Sequence, residues 1–351
     1  MMKNRIISAL LACILLLSCM SVSSCQKTQD KYSVYSLDLF DTATTITGYA
    51  ESRETFDAVA DEVLAVLTEY HRLFTIYHRF EGLENLCTVN ELVDGRHRTV
   101  TVDRRIIDLL LYAKEMYAIT NGKVNIAMGS VLSIWHDYRT DGMNDPSAAK
   151  LPPMETLTAA AAHTDLNCLV IDEAASTVCI TDPYMTLDVG AIAKGYAVEM
   201  TAKALEERGV TGYVLNVGGN VRTVGVKGDG EPWVVGIENP QDDPENPYLA
   251  YLELSGESLV TSGSYQRFYW VDGERYHHII DPNTLLPAKG FTSVSVVTKS
   301  SALADALSTA LFCMSMEEGM ELIASLPDTE AMWVTDTGEK LTSDGFFAFA
   351  S

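Results

Sequence analysis

A succession of short β-type segments, separated by turn dipeptides, restricts the fold of this chain more than any other feature. Turns such as Asp229-Gly230 and Asp272-Gly273 divide the apolar runs of the C-terminal half, as expected for hairpins. Because helical segments interrupt these runs without a steady βαβ rhythm, we predict an α+β fold of mixed helices and largely antiparallel strands. We expect one compact unit, with a two-lobed arrangement as the alternative. The periodicity predicts helices at 55–74, 102–120, 156–163, 190–208, 301–311 and 316–325.

The N-terminus has the pattern of a secretory signal. Lys3 and Arg5 precede an apolar run at 6–17 that is short for a membrane span. Small residues then precede Cys25, as at a lipoprotein cleavage site. We therefore predict a lipoprotein signal peptide at 1–24 and a lipidated tether at 25–33.

Two alternatives to this processing stay open. Cys19 follows a weaker match to the same cleavage pattern, and an ordinary secretory signal cut elsewhere would leave no lipid. Each of these three kinds of N-terminal processing predicts that the protein is exported. With lipidation at Cys25, we expect the protein to be anchored at the outer, periplasmic face of the bacterial inner membrane.

The net charge restricts the partners of the chain. With 25 Lys and Arg residues against 48 Asp and Glu residues, the formal charge is −23. Such a charge repels nucleic acids and anionic lipid surfaces, and no basic stripe offsets it, so we expect no nucleic-acid partner. An acidic protein that handles phosphates also needs a metal to offset the repulsion.

The segment 301–311 combines an apolar helix with hard oxygen donors. Asp305 and Thr309 are four residues apart and point to one face, with Ser308 beside them. A carboxylate and two hydroxyls suit Mg²⁺, which leaves its other positions to water and phosphate oxygens. The alternative is a core helix whose small polar residues bond within the helix.

The segment 187–197 predicts a strand that ends at Asp188 and a helix that starts near Ala191. Gly190 permits close approach of a ligand, and the free N–H groups at a helix start suit an anion. Lys194 lies in the first turn, where a cation opposes the helix dipole, which indicates pairing with a phosphate or with Asp188. The alternative is an ordinary strand-to-helix turn with an exposed lysine.

Three further segments carry weaker signals. The glycines at 218–219 bring the backbone close to a ligand or only make a turn. They do not form a dinucleotide-binding GxGxxG motif, because that motif requires a following helix and none is predicted here. The turn at 261–265 is small and polar. Adjacent His277 and His278 point to opposite sides of a strand, so we expect one to face a site and the other to face solvent. GxSxG and HExxH motifs are absent from the sequence.

Cys168 and Cys179 flank a predicted hairpin. Their proximity makes a disulfide conceivable in an oxidising compartment. If Asp172 pairs with Thr177, however, the two cysteines fall out of register. We therefore predict two buried thiols.

Taken together and in order, five motifs resemble those of the ApbE family of FAD:protein FMN transferases, which are often exported lipoproteins. The resemblance covers about residues 34 to 347, so we expect 34–351 to be an FMN transferase catalytic domain. It implies Mg²⁺-dependent transfer of FMN from FAD to a threonine, or sometimes serine, hydroxyl, with release of AMP. The motifs are Asp188-Val-Gly-Ala-Ile-Ala-Lys-Gly-Tyr, Asn216-Val-Gly-Gly-Asn, Thr261-Ser-Gly-Ser-Tyr, His277-His-Ile-Ile-Asp-Pro and Ala304-Asp-Ala-Leu-Ser-Thr.

The resemblance also implies roles for individual residues. Asp305 and Thr309 would bind Mg²⁺ through their side chains and Ala191 through its carbonyl oxygen, and Ser308 occupies a position that is sometimes a ligand. The attacking hydroxyl also needs a proton acceptor, and His278 or Asp281 would serve as that catalytic base. Contacts with FAD are implied for Phe40, Tyr77, Ala127, Met128, Gly129, Asp188, Lys194, His278 and Ile280.

The sequence departs from the family pattern at three places, which concern the flavin contacts more than the metal site. The loop at 125–130 lacks an acid and a proline, Ser264 stands where an aspartate is usual, and Leu285 replaces a glycine. In the family, the acceptor is a flavoprotein subunit of a membrane redox complex, of the Rnf or Na⁺-translocating quinone reductase type.

Two other functions stay open at the level of the sequence. A Mg²⁺-dependent FAD pyrophosphatase would use the same site with water as the acceptor, and would give FMN and AMP. A non-catalytic lipoprotein would bind FAD and release no AMP.

Overall fold

The computed structural model describes residues 29–241 and 243–350, so the predicted signal peptide and Cys25 lie outside the described residues. Residues 30–33, which we assigned to the tether, belong to the first strand. The helices are α1 (Arg53–Phe74), α2 (Leu86–Val89), α3 (Arg104–Ile119), α4 (Gly129–Asn144), α5 (Met154–Ala161), α6 (Ala193–Glu207), α7 (Ser301–Phe312) and α8 (Met316–Ser325). The strands are β1 (Asp30–Leu39), β2 (Thr42–Ala50), β3 (Leu92–Val93), β4 (Arg96–His97), β5 (Val100–Thr101), β6 (Leu169–Asp172), β7 (Thr177–Ile180), β8 (Tyr213–Val217), β9 (Asn220–Val224), β10 (Trp233–Glu238), β11 (Tyr248–Leu254), β12 (Ser258–Gly263), β13 (Phe268–Val271), β14 (Glu274–His277), β15 (Phe291–Thr298), β16 (Glu330–Thr335) and β17 (Lys340–Thr342).

An eight-stranded sheet organises the described residues, in the order β1-β2-β8-β9-β12-β15-β16-β17. Each pairing between its strands is antiparallel. The predicted α+β fold with largely antiparallel strands is therefore confirmed. Within the described ranges, no helix combines the length and the apolar character that a bilayer crossing requires.

One face of the sheet is covered by α1, α6 and α7, which pack on the sheet and on one another. Phe56, Val63 and Leu67 form the buried stripe of α1, at the spacing that an amphipathic helix requires. Helix α7 is different because nearly all of its residues are buried. It lies between the sheet and α6, so the few polar groups on it need partners inside the protein.

A buried polar network fixes the start of α7. Ser300 caps the helix by accepting a hydrogen bond from the Leu303 N–H (3.3 Å), and Glu199 of α6 accepts one from the Ser301 N–H (2.7 Å). Glu199 is also ion-paired with the buried Arg222 of β9 (3.3 Å). The two helices and the sheet are thus held in one relative position, which fixes the residues of α7 one turn further on.

The opposite face of the sheet is covered in part by the two-stranded ribbon β10–β11. Leu252 and Leu254 of the ribbon pack with Val221, Leu259 and Val334 of the sheet in a second buried cluster. The segment Phe346–Phe349 completes this layer.

The hairpin β6–β7, which Cys168 and Cys179 flank, has Asp172 opposite Thr177, so the two cysteines are out of register. Cys168 and Cys179 are free thiols, as predicted. The expectation that both are buried is wrong, because each keeps partial exposure: Cys168 lies just before β6, and Cys179 lies on β7.

Candidate active site

A cleft of about 500 Å³ opens where α6 and α7 meet the end of the large sheet. Its walls come from the loop before α4, the segment before α6, the β8–β9 turn, the end of β12 and the segment after β14. The predicted strand that ends at Asp188 is not formed, since residues 181–192 belong to no strand, and the helix begins at Ala193. A cavity of this size is typical of a small-molecule or cofactor site.

Asp305 of α7 caps the first turn of α6. Its Oδ2 accepts a hydrogen bond from the Gly195 N–H (2.7 Å), a group that the start of an α-helix leaves without an intrahelical partner. Ile192, at the N-cap position of α6, provides no side-chain cap of its own. The carboxylate from α7 therefore takes the place of a local cap and favourably faces the positive end of the α6 dipole.

Gly195 makes this arrangement possible. A Cβ at this position would lie 2.3 Å from the Asp305 Cβ and 2.5 Å from the Ser301 carbonyl oxygen. Only a residue without a side chain allows α6 and α7 to approach closely enough for the capping bond. The glycine of the Ala-Lys-Gly-Tyr motif is therefore explained by helix packing at the site.

Burial raises the pKa of Asp305, although Lys194 and the Gly195 N–H both act in the opposite direction. The Asp305 side chain is 5 % exposed, and the Lys194 Nζ lies 3.7 Å from its Oδ1. This separation is too long for a good hydrogen bond. A buried carboxylate that is only partly neutralised is well placed to take a cation.

The neighbouring oxygen atoms fit a hard cation. Because the Gly195 N–H bonds to Asp305, the Ala191 carbonyl has no hydrogen-bond partner within the described residues. Ala191, Asp305 and Thr309 all line the cleft. A carboxylate, a carbonyl and a hydroxyl are the ligand types that Mg²⁺ prefers when phosphates and water complete its shell.

Ser308 does not reach the cleft. Its hydroxyl is fully buried and hydrogen-bonds to the Ser262 hydroxyl (2.8 Å) and to the Asp305 carbonyl (3.0 Å). Ser262 of β12 lines the cleft instead. No three His, Cys, Asp or Glu side chains cluster as a metal site anywhere in 29–241 or 243–350, so a metal here would rest on the mixed donors described above.

Asp188 lies on the same wall, in a turn that side-chain hydrogen bonds fix in position. The Asn90 amide brackets Leu187, accepting from its N–H (2.7 Å) and donating to its carbonyl (2.9 Å). The Asp188 Oδ1 then accepts from the Gly190 N–H (2.8 Å). Burial raises the pKa of this carboxyl, against the influence of His136 and Arg139.

Four basic side chains also line the cleft: Lys123, Arg139, Lys194 and Arg267. Neither Arg139 nor Arg267 belongs to an ion pair within the described residues. Burial and the charge of Arg267 lower the pKa of Arg139, although Asp188 acts in the opposite direction. An acidic protein thus places at one cleft two arginines that have no ion-pair partner in the described part of the chain, and these favour an anion.

Sequence reasoning missed Lys123, Arg139 and Arg267. The one available signal was the i, i+3 spacing of His136 and Arg139, but the sequence did not predict helix α4 at all. Arg267 follows the polar turn 261–265 and carries no pattern of its own.

The two adjacent histidines face different environments. His277 is buried, its Nε2–H donates to the Ala288 carbonyl (2.8 Å), and its Nδ1 accepts from the Ile279 N–H (3.2 Å). His278, just beyond the end of β14, lines the cleft. One histidine therefore faces the site, as expected. The expectation that the other one faces solvent is wrong, because His277 is part of the core.

His278 is held in its neutral form. Burial, with the charges of Arg267 and Arg139, lowers the pKa of its imidazole to about 3. Its Nδ1 is buried without a hydrogen-bond partner among the described atoms. Asp281, by contrast, is ion-paired with Lys123 (2.9 Å) and is not part of the cleft wall.

The replacement His278→Gln should weaken the acid sensitivity of the fold. An imidazole with a folded pKa of about 3 binds fewer protons than the unfolded chain, so the free energy of unfolding falls as the pH drops below 6.5. From this pKa shift we expect His278 to contribute about 2 kcal/mol of that loss between pH 7 and pH 5. Urea unfolding at both pH values measures it.

His163→Gln is the control for this prediction, because His163 is part-exposed and pairs with Asp182 on the surface. An identical loss of stability between pH 7 and pH 5 in wild type and in His278→Gln would contradict the assignment of a neutral, buried imidazole.

The remaining residues predicted to contact FAD divide into two groups. Tyr77, Met128 and Ile280 line the cleft together with Asp188, Lys194 and His278. Phe40, Ala127 and Gly129 do not line the cleft. The Phe40 N–H donates to the His71 ring, and the Gly129 N–H donates to the Thr186 carbonyl (3.1 Å). Their contact with FAD stays a prediction.

Comparisons with known proteins identify the family of this chain. The family model described as ApbE family matches residues 40–333. A protein from Klebsiella pneumoniae (strain 342) named FAD:protein FMN transferase is 31% identical over 288 residues, which is 82% of this chain and 85% of the relative. One from Treponema pallidum (strain Nichols), with the same name, is 34% identical and covers 67% of each chain.

Solved structures resemble the whole described fold. The ApbE protein from Thermotoga maritima has a TM-score of 0.79 and 27% sequence identity, over 92% of this chain and 100% of its own. The flavin transferase ApbE from Vibrio cholerae has a TM-score of 0.74 and 26% identity, over 92% and 99%. With the family model matched over most of its length, this chain belongs to the ApbE family.

Proposed function

We propose that this protein is an FAD:protein FMN transferase, which moves the FMN moiety of FAD onto a threonine or serine hydroxyl of an acceptor flavoprotein. The observation that supports this proposal most is that Arg139 and Arg267, which form no ion pair among the described residues, line the same cleft as the oxygen donors at the α6–α7 junction. This combination suits a pyrophosphate. The names of the relatives from Klebsiella and Treponema support the same activity.

The reaction breaks one phosphoanhydride bond and forms one phosphoester bond. The acceptor hydroxyl oxygen attacks the phosphorus on the FMN side of FAD, AMP leaves with the bridging oxygen, and the hydroxyl proton passes to a base. Such a step needs alignment of the attacking group and stabilisation of charge on the phosphate oxygens. Arg139, Arg267 and Lys194 are the side chains that would bind and orient the pyrophosphate.

We assign the Mg²⁺ site to Asp305, Thr309 and the Ala191 carbonyl, and we omit Ser308 because its hydroxyl is bonded to Ser262. When bound there, the ion supplies neutralisation of the charge that develops on the phosphate oxygens. Asp305 would then serve two purposes. Its Oδ2 caps α6, and its Oδ1, which lies near Lys194, would bind the ion.

We assign the proton acceptor to His278 rather than to Asp281. His278 lines the cleft with an unpartnered Nδ1, whereas Asp281 is engaged by Lys123. Phosphates that pair with Arg139 and Arg267 offset two of the charges that lower the pKa of His278. Burial, the larger cause of the low pKa, remains, but the paired phosphates act to raise the basicity of the imidazole.

We infer the setting of the reaction from the N-terminus and the family. Lipidation at Cys25 would anchor the enzyme at the periplasmic face of the inner membrane, beside its acceptor. That acceptor would be a flavoprotein subunit of an Rnf-type or Na⁺-translocating quinone reductase complex. Replacement of Cys25 by serine should release the protein from the membrane fraction.

Incubation with FAD, Mg²⁺ and an acceptor domain that carries the target threonine tests the proposed activity. We expect the acceptor to gain the mass of FMN, with one AMP released for each flavin attached, and an acceptor with valine at that threonine to gain none. Free FMN and AMP at equal rates with either acceptor would indicate a pyrophosphatase. Bound FAD without AMP would indicate a binding protein. Either result would contradict the proposal.

A further inference from the structure

A second groove, of about 550 Å³, lies beside the cleft on the ribbon side of the large sheet. One wall is the part of β2 and β8 that the ribbon leaves uncovered, with Thr45, Thr47 and Val214. The other wall is strand β10, with Val234 and Val235. No residue of this groove belongs to the proposed FAD or metal contacts.

The groove and the cleft share a rim. Thr261 and Gln266 line both of them, and the two glycines of the β8–β9 turn divide between them, Gly218 facing the cleft and Gly219 the groove. The groove therefore adjoins the cleft, and a chain that lies in the groove can reach the cleft across this rim.

The wall formed by β10 offers unused backbone groups. β10 pairs with β11 on one side only. Outside this ribbon, the peptide groups of Val234–Gly236 have no hydrogen-bond partner among the described residues. An unpaired strand edge is a template for an added strand from another polypeptide.

The chemistry of the lining favours an uncharged segment. Threonine, valine and glycine dominate it, and Lys31 and Glu238 are its charged members. Val234 is 56% exposed and Tyr248 is 47% exposed, so apolar surface is available to alternate side chains of an extended peptide.

We propose that this groove binds the acceptor polypeptide: an extended, largely uncharged segment next to the target threonine adds to the edge of β10 and delivers the hydroxyl across the Thr261–Gln266 rim into the cleft. This inference rests on the proposed transferase function. It assigns the acceptor a binding surface separate from that of FAD, so the affinities for the two substrates can be changed independently.

Val234→Arg and Thr45→Arg test the groove from its two walls. We expect each variant to raise the KM for the acceptor domain at least tenfold, with less than a twofold change in kcat and in the affinity for FAD measured by flavin fluorescence. Val170→Arg is the matched control, because Val170 is a 49% exposed strand valine outside both cavities. It should leave all three quantities unchanged.

The outcomes separate this inference from the proposed function. If wild type transfers no flavin, the proposed function fails. If wild type transfers flavin and both arginine variants keep the wild-type KM for the acceptor, the docking inference alone fails. A change from dimer to monomer in Val234→Arg, seen by sedimentation, would assign the groove to a second copy of the chain and would also overturn it.

Discussion

Asp305→Asn is expected to lower kcat/KM for flavin transfer by about three orders of magnitude while the protein stays folded. Asp305 is the single carboxylate among the assigned Mg²⁺ ligands, and its loss leaves only neutral donors, which bind Mg²⁺ poorly. A thousandfold loss corresponds to about 4 kcal/mol of transition-state stabilisation. AMP release with FAD, Mg²⁺ and acceptor measures the effect.

The fold should tolerate this substitution for a specific reason. The asparagine carbonyl oxygen still accepts the hydrogen bond that the Gly195 N–H now donates to Asp305. The variant also removes a buried charge whose pKa is raised by burial. In the absence of metal, we therefore expect a melting temperature equal to that of wild type or higher.

Two control variants separate metal binding from general damage. Thr309→Ser keeps the hydroxyl and should retain most activity. Asp328→Asn changes an exposed aspartate that pairs with Lys299 and should retain all of it. Full activity in Asp305→Asn, or equal losses in Asp305→Asn and Asp328→Asn, would refute the metal assignment.

Gly195→Ala is expected to lower activity at least a hundredfold and to destabilise the fold by about 2–3 kcal/mol, because it overpacks the α6–α7 contact. The new Cβ would lie 2.3 Å from the Asp305 Cβ and 2.5 Å from the Ser301 carbonyl oxygen. The helices must separate to accept it, which moves Asp305 away from the cleft. Urea unfolding and the transfer assay measure the two effects.

Gly319→Ala is the matched control for the helical glycine. Its Cβ would meet the end of the Leu311 side chain and the rim of the Trp333 ring, each at 3.3 Å, and alanine favours a helix over glycine by about 1 kcal/mol. We expect the stability of this variant to stay within about 1 kcal/mol of wild type. Wild-type activity in Gly195→Ala would show that the close helix contact is not needed for the site.

The helix that carries Asp305 could be predicted almost completely, but the orientation of its polar residues could not. The predicted range 301–311 differs from α7 by one residue, and Asp305 and Thr309 face the cleft together, as their spacing indicated. Ser308 was grouped with them, yet it points to Ser262. A helix buried on nearly all sides has no polar face in its sequence to distinguish these directions.

The basic side chains of the cleft could not be predicted because they come from distant and locally featureless segments. Helix α4, which carries Arg139, has low amphipathicity and a glycine near each end. Its position depends on contacts such as the hydrogen bond from Trp135 Nε1–H to the Leu285 carbonyl (2.9 Å), across 150 residues. Only the tertiary fold brings Arg139 and Arg267 beside His278.

A crystal structure with FAD and Mn²⁺ in place of Mg²⁺ tests the central claim most directly. The claim is that the start of α6 and the middle of α7 form one metal and pyrophosphate site. We predict an anomalous peak within coordination distance of the Asp305 carboxylate, the Thr309 hydroxyl and the Ala191 carbonyl, in contact with the phosphates of FAD. FAD bound in the cleft with the metal elsewhere, or with Asp305 still bonded only to protein, would contradict it.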